Sequence, residues 1–136
     1  MESGSMTQER RRFVRFQARL PVQYTVEPQS KPVQTFSKDL GGGGVCFFAQ
    51  VPVAAGTRVQ AALSLPGRES PIPFTAEVIC SEQQEFKAKG QHQRVVEVDV
   101  RFVEIAPHDQ ADIMHYVMAS LQSPHANKSG TATDFG

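Results

Sequence analysis

Five arginines, Arg10, Arg11, Arg12, Arg15 and Arg19, fall within "ERRRFVRFQARLP", residues 9 to 21, and make up five of the chain's 14 Lys and Arg. Arginine stands at every one of these places and lysine at none. That choice favours planar, bidentate and stacking recognition over a solvated point charge. Arg11 and Arg15 are four residues apart, so on an extended segment they share a side and stand about 13 Å apart at most. Such a separation suits a ligand with more than one anionic or acceptor-rich group. A solvated basic arm that touches nucleic acid or membrane without specificity is the plainer reading of the same residues.

A second stretch that bears on chemistry is "KDLGGGGVC", Lys38 to Cys46, with four consecutive glycines between two apolar runs. Four residues of maximal backbone freedom at one point need a reason. Walker-type phosphate loops need a Lys-Ser/Thr after the glycines, and dinucleotide fingerprints need a following helix. Here the strand-like "VCFFAQVPV" follows, and both nucleotide folds are excluded. What remains is a glycine-rich turn carrying Asp39. It is either a plain hairpin turn or one that offers backbone N–H donors to an anion or a base edge.

The elements that must position these residues follow a period of two. Val59, Ala61, Leu63 and Leu65 alternate with polar or small residues, as do Ile72 to Cys80 and Val96 to Phe102. Each run is a strand with one face in a core. Leu20 to Val26, Val33 to Lys38 and Val45 to Phe48 are three further strand-like runs, and turn chemistry separates them all. The polar segment "EQQEFKAKGQHQ" reads as a longer hairpin connection before the last strand. Six strands with short connections predict an all-β, antiparallel barrel or sandwich. From Asp109 onward the period changes: Ile113, Tyr116, Val117 and Leu121 form one helical stripe, with Pro107 suited to the first turn and Asp109 and Asp112 near the positive helix end. That C-terminal helix can plug an open barrel end or pack on a partner subunit.

Length and composition narrow the rest. A chain of 136 residues is of single-domain size. Its 14 Lys+Arg are balanced by 14 Asp+Glu, so any electrostatic function must come from local clustering. No apolar run approaches a membrane span and no signal peptide is evident, which makes a cytoplasmic location the expectation. Cys46 and Cys80 each lie in an apolar run and read as reduced, buried, small hydrophobes; with His92, His108, His115 and His125 sharing no ligand spacing, no metal site is expected. "MESGSM" reads as a tag remnant, giving residues 1–8 as a tag or disordered terminus, 9–122 as the domain and 123–136 as a flexible polar tail. No nucleophile, base and orienting group stand together, so an enzyme is not expected. Binding of single-stranded nucleic acid would need exposed aromatics among the basic residues, and most Phe fall at core-facing positions.

The two stretches acquire a joint meaning from their order. Arg11-Arg12-Phe13-Val14-Arg15 is an RxxxR motif, and Asp39-Leu40-Gly41-Gly42-Gly43-Gly44 stands where a [D/N]xSxxG motif would. The pair, followed by a six-strand pattern and a C-terminal helix, resembles the PilZ domain, a bacterial receptor module for the second messenger cyclic di-GMP. The resemblance covers roughly residues 9 to 122. It implies a six-stranded antiparallel β-barrel with a C-terminal α-helix. Arg11 and Arg15 would take guanine edges and phosphates, Asp39 would accept from the guanine N1–H and N2–H₂ edge, and the turn at Gly41, Gly43 and Gly44 would let the backbone approach. Arg10 would be a third contact, associated in the family with an intercalated ligand dimer, while Arg12 and Arg19 are left to solvent. Binding would order the arginine arm and change the surface shown to a protein target in motility, exopolysaccharide or biofilm output. The sequence departs from the motif at Gly41, where the serine hydroxyl is missing, and retained but weaker binding is the expectation. An adaptor of the same fold that works through protein contacts alone is the alternative.

Overall fold

Amphipathic strands joined by short turns can hide one face each by curling the sheet onto itself. The chain does so in the computed structural model, which describes residues 14–28, 31–88 and 90–122, apart from the side chains of residues 86 and 88. The described strands are β1 (Arg15–Gln17), β2 (Pro21–Val26), β3 (Val33–Gly41), β4 (Gly44–Ala49), β5 (Arg58–Leu63), β6 (Ile72–Ala88) and β7 (Gln91–Glu104), followed by helix α1 (Pro107–Gln122). Six of them close an antiparallel ring in the order β3-β2-β5-β6-β7-β4, with β4 pairing back to β3. β1 is a seventh, short strand beside the C-terminal half of β3, in line with β2 beside its N-terminal half. The expected all-β barrel with a C-terminal helix is therefore the fold. Residues 1–8, the tail 123–136, Arg10, Arg11, Arg12 and His125 lie outside the described residues.

Val22, Tyr24, Leu40, Val45, Phe47, Leu63, Ile72, Val78, Val98 and Val100 point into the ring and are buried. The Tyr24 and Phe47 rings meet at 4.6 Å and those of Phe74 and Phe102 at 4.8 Å. Helix α1 packs on its own barrel: Ile113 and Val117 join the core cluster, and the Tyr116 ring meets Phe16 of β1 edge to face at 6.3 Å. Asp109 and Asp112 sit in its first turns, as expected from the helix charge, and both also accept from Arg68 Nη1, at 2.8 and 3.0 Å. Leu121, in the last turn, is exposed, as are Met114 and Met118, so the apolar stripe is buried over its first part only.

Two sequence expectations fail for identifiable reasons. The polar segment before the last strand is not a connection. β6 and β7 run on through it as a ribbon paired as far as Ala88↔Gln91, turning at Gly90, whose φ of 77° is left-handed. Hydrophobic alternation marks only strands with one buried face, and the described side chains of residues 82–87 and 91–94 are exposed on both. Cys80 is exposed, not buried. A bulge between Val78 and Cys80 inserts Ile79 as an extra residue, and one extra residue turns every later side chain to the opposite face.

Burial separates two neighbours on α1. Ile113→Ala should lower unfolding stability by about 2–5 kcal/mol, whereas Met114→Ala, on the exposed side, should change it by no more than about 0.5 kcal/mol. Urea titrations of both variants check this.

Candidate functional site

The order of side chains across the barrel wall builds the site. Asp39 of β3 pairs with Cys46 of β4, and Cys46 with Asp99 of β7. Directly paired residues share a face of the sheet. Their neighbours Leu40, Val45, Phe47, Val98 and Val100 belong to the core, so Asp39, Cys46 and Asp99 line the outer face. A shift of register between Ser37 and Asp39 sets this phase on β3.

Arg15 is laid over that row by β1, which pairs Arg15↔Gly41, Phe16↔Leu40 and Gln17↔Asp39. Its Nη1 donates to Asp39 Oδ1, and its Nη2 donates to Asp99 Oδ1 at 3.0 Å. Burial works against the guanidinium charge. The charge of Asp99 and the hydrogen bond and charge of Asp39 outweigh it and hold the Arg15 pKa above its usual value. The buried Ser37 fixes the kink between β1 and β2: its hydroxyl donates to Ala18 O and accepts from Leu20 N at 3.0 Å. Beside the row, Lys38 Nζ donates to Glu97 Oε1 at 2.9 Å. Arg19 does not face solvent alone, since its guanidinium lies 4.3 Å from the ring centre of the exposed Phe36.

The four glycines have different reasons. A Cβ on Gly44 would collide with the carbonyl oxygen of Val100 and stand 3.0 Å from Arg101 Cα, so β7 itself demands glycine there. A Cβ on Gly41 would come within 2.7 Å of Val14 O and 3.2 Å of Arg15 Cγ. Gly42 and Gly43 form the two-residue turn between β3 and β4. The Gly42 carbonyl accepts from Gln110 Nε2 of α1 at 2.7 Å, and that of Gly43 accepts from Phe102 N at 2.9 Å. The positive-φ glycines among the described residues are elsewhere, at Gly56, Gly67 and Gly90.

Of the residues expected from sequence, Arg15, Asp39, Gly41, Gly43 and Gly44 are thus brought to one edge of the barrel, where β1, β3 and β4 meet. Asp99 is the member that sequence reasoning missed. In "VVEVDVRF" it is one of several charged residues on the outward face of a strand, and nothing local separates it from Glu97 or Arg101. Cys46 lies in the same row rather than in the core, and burial, aided by Asp39, Asp99 and Glu97, pushes its thiol up to about 12. Among the described residues no group of three or more His, Cys, Asp or Glu is placed to hold a metal ion. Guanidinium donors beside carboxylate acceptors can read a planar ligand edge that carries both kinds of group.

The family model described as "PilZ domain" matches residues 9–119. No curated protein matches the chain by sequence. Among solved structures, the chain is similar to the PilZ domain with c-di-GMP of YcgR from Escherichia coli, with a TM-score of 0.69 and 17% identity over 90% of this chain and 98% of that one. It is also similar to the Bacillus subtilis inhibitor of motility MotI/DgrA, with a TM-score of 0.63 and 23% identity over 82% of this chain and 51% of that one. A third similar structure is YcgR in complex with c-di-GMP from Escherichia coli, with a TM-score of 0.62 and 20% identity over 89% of this chain and 50% of that one. The chain thus spans about half the length of the last two and nearly all of the first. At these identities the likeness to solved structures is one of fold.

Two outcomes follow from this geometry. In native protein at pH 8 a thiol reagent should modify Cys80 readily and leave Cys46 protonated and unreacted, with both modified after denaturation; mass spectrometry of the labelled peptides reads it. Gly44→Ala should destabilise the fold by about 3 kcal/mol, the upper end of the usual overpacking cost, because the overpacked partner is backbone, as measured by chemical denaturation.

Proposed function

The chain belongs to the PilZ domain family, and from that premise we propose that it is a receptor for cyclic di-GMP that acts by binding, with no catalytic step. The ligand has two guanines and two phosphates, so its receptor needs cations for the phosphates and forked donors for guanine O6 and N7. Of the two RxxxR arginines, Arg15 is the one among the described residues. The observation that carries the reading is its seat on the outer face, against Asp39 and beside the glycine turn. Arg11, at the other end of the same motif, and Arg10 before it would complete the cationic side, with Arg10 serving a second, stacked ligand molecule. Asp39 would take the guanine N1–H and N2–H₂ edge. The turn at Gly41, Gly43 and Gly44 is the rim over which the ligand lies.

Arg15 already holds two carboxylates, and β1 is already paired to β3. Ligand binding therefore works by exchanging the partners of Arg15 rather than by bringing β1 to the sheet. The altered outer face would then be read by a protein target in motility, exopolysaccharide or biofilm output. The proposed place of action is the cytoplasm; no helix among the described residues is long and apolar enough to cross a membrane. The alternative, an adaptor that has given up the ligand, is favoured by one observation: Gly41 lacks the motif hydroxyl.

Calorimetric titration with cyclic di-GMP separates the two. A saturable isotherm supports the receptor. None at high micromolar ligand, for protein shown to be folded, leaves the adaptor. Arg11→Ala, Arg15→Ala and Asp39→Ala should each weaken binding about ten- to a hundredfold, the worth of a charged hydrogen bond. Arg15→Lys should also weaken it, because the charge is kept but the fork is lost. Unchanged affinity in all of these would put the site elsewhere.

A further inference from the structure

Gly41 stands where the family motif has serine, and the lost hydroxyl alone would make it a weakened copy of that motif. The surroundings of Gly41 argue otherwise. Paired residues share a face, so the missing Cβ of Gly41 would point outward beside the Arg15 side chain. That place is taken: the carbonyl oxygen of Val14 would be 2.7 Å from it and Arg15 Cγ 3.2 Å. The nearest atom is backbone, which cannot rotate away as a side-chain end could. Any residue with a Cβ at this position must push the chain at Val14 off the face of β3.

We infer that Gly41 is a positioning residue: by leaving room for Val14 it seats β1 flat on β3 and so holds Arg15 over Asp39 and Asp99. The rest of the seat is consistent with this. Ala18 N donates to Lys38 O at 3.1 Å, Ser37 clamps both sides of the kink, and Phe16 packs against Tyr116. The Ala18 and Ser37 contacts fix β1 from its C-terminal end, and Phe16 holds its middle. At Arg15 itself, the strand register and the two carboxylates complete the seat, and both depend on the close approach at Gly41. The glycine thus exchanges a hydroxyl contact to the ligand for a pre-seated arginine. Pre-organisation of a binding group raises affinity by removing the entropy lost when it is ordered.

The consequence runs against the motif. Restoring the family serine, Gly41→Ser, weakens binding instead of strengthening it, and Gly41→Ala does the same because the Cβ and not the hydroxyl is responsible. The binding arm of this inference rests on the receptor reading above; the seat itself does not. Hydrogen exchange on the full chain without ligand tests the seat. Both variants should raise exchange at least tenfold in a peptide covering residues 14–18 while β5 and β6 keep wild-type protection. Phe16→Ala, which loosens the arm by another route and leaves Gly41 intact, should reproduce the local increase. Calorimetry with cyclic di-GMP should then show Gly41→Ser and Gly41→Ala weakened alike, by about tenfold or more. Exchange at residues 14–18 that stays at the wild-type level in both Gly41 variants overturns the inference, as does a serine variant that binds more tightly than wild type. A wild-type protein that binds no ligand but shows the exchange difference sinks the receptor reading and leaves the seat standing.

Discussion

The barrel closes because β4 can lie between β3 and β7, and a point of close approach in that closure is Gly44. It pairs with Gly41 on one side and Arg101 on the other, and the carbonyl of Val100 fills the place a side chain would take. Much else depends on that approach. Val45 and Phe47, the next inward residues of β4, are fully buried in the core. Gly43 passes the closure on to Phe102, and Gly42 offers its carbonyl to Gln110, which ties the turn to α1. The edge where the ring is sealed is also the edge where Arg15 lies, so closure of the fold and the seat of Arg15 share the same few residues.

The electrostatics of that edge differ from those of the chain. Lys and Arg balance Asp and Glu over the whole sequence, yet the described residues of the row set one guanidinium against two carboxylates. Arg15 spans strands that are two steps apart in the sheet, and its two hydrogen bonds tie β1 to β3 and β7 at once. Partial burial makes such a pairing stronger than an open surface bridge of the same geometry. It also means that no anion can approach Arg15 without facing the carboxylates that hold it. Extra positive charge must come from elsewhere, and the only run of arginines in the sequence is the one that precedes it.

Much of this was legible in the sequence, where a strand had one wet and one dry face. Val59 to Leu63, Ile72 to Val78 and Val96 to Val100 alternate because the barrel interior imposes a period of two, and Ile113 and Val117 repeat at helical spacing for the same reason. Arg15 and Asp39 stand out in the sequence through their two motifs, while their contact with each other is visible only in the fold. What escaped notice had no apolar signature. The β6–β7 ribbon has no buried face, so its alternation carries no hydrophobic signal. Cys80 was placed by extrapolating a phase that Ile79 breaks, and a bulge depends on what the neighbouring strand does. Asp99 was hidden because its importance comes from a strand more than eighty residues away in sequence. The glycine run was legible as a turn, but not as two close approaches, since the groups that crowd Gly41 and Gly44 belong to other strands.

The ribbon has a meaning of its own for how the molecule keeps to itself. β5 accompanies β6 only as far as Glu77, with Gly56 and Thr57 still bonded to Val78 just past it, and β4 accompanies β7 only back to Val96, so over the described residues further out neither outer edge of the hairpin has a neighbouring strand. Open edges of this length are templates for another chain's strand. Most residues there are polar, Glu82, Gln83, Gln84, Glu85 and Lys87 on one strand and Gln91, His92, Gln93 and Arg94 on the other, with Phe86, Ala88 and Val95 the apolar members. His92 and Arg94 stand within 4 Å of Glu85. Exposed pairs of this kind add little to stability. Their charges and amides instead make each edge a poor bed for a foreign strand, so the polarity that hid the ribbon from a sequence reading is also what protects a protruding sheet from joining its neighbours.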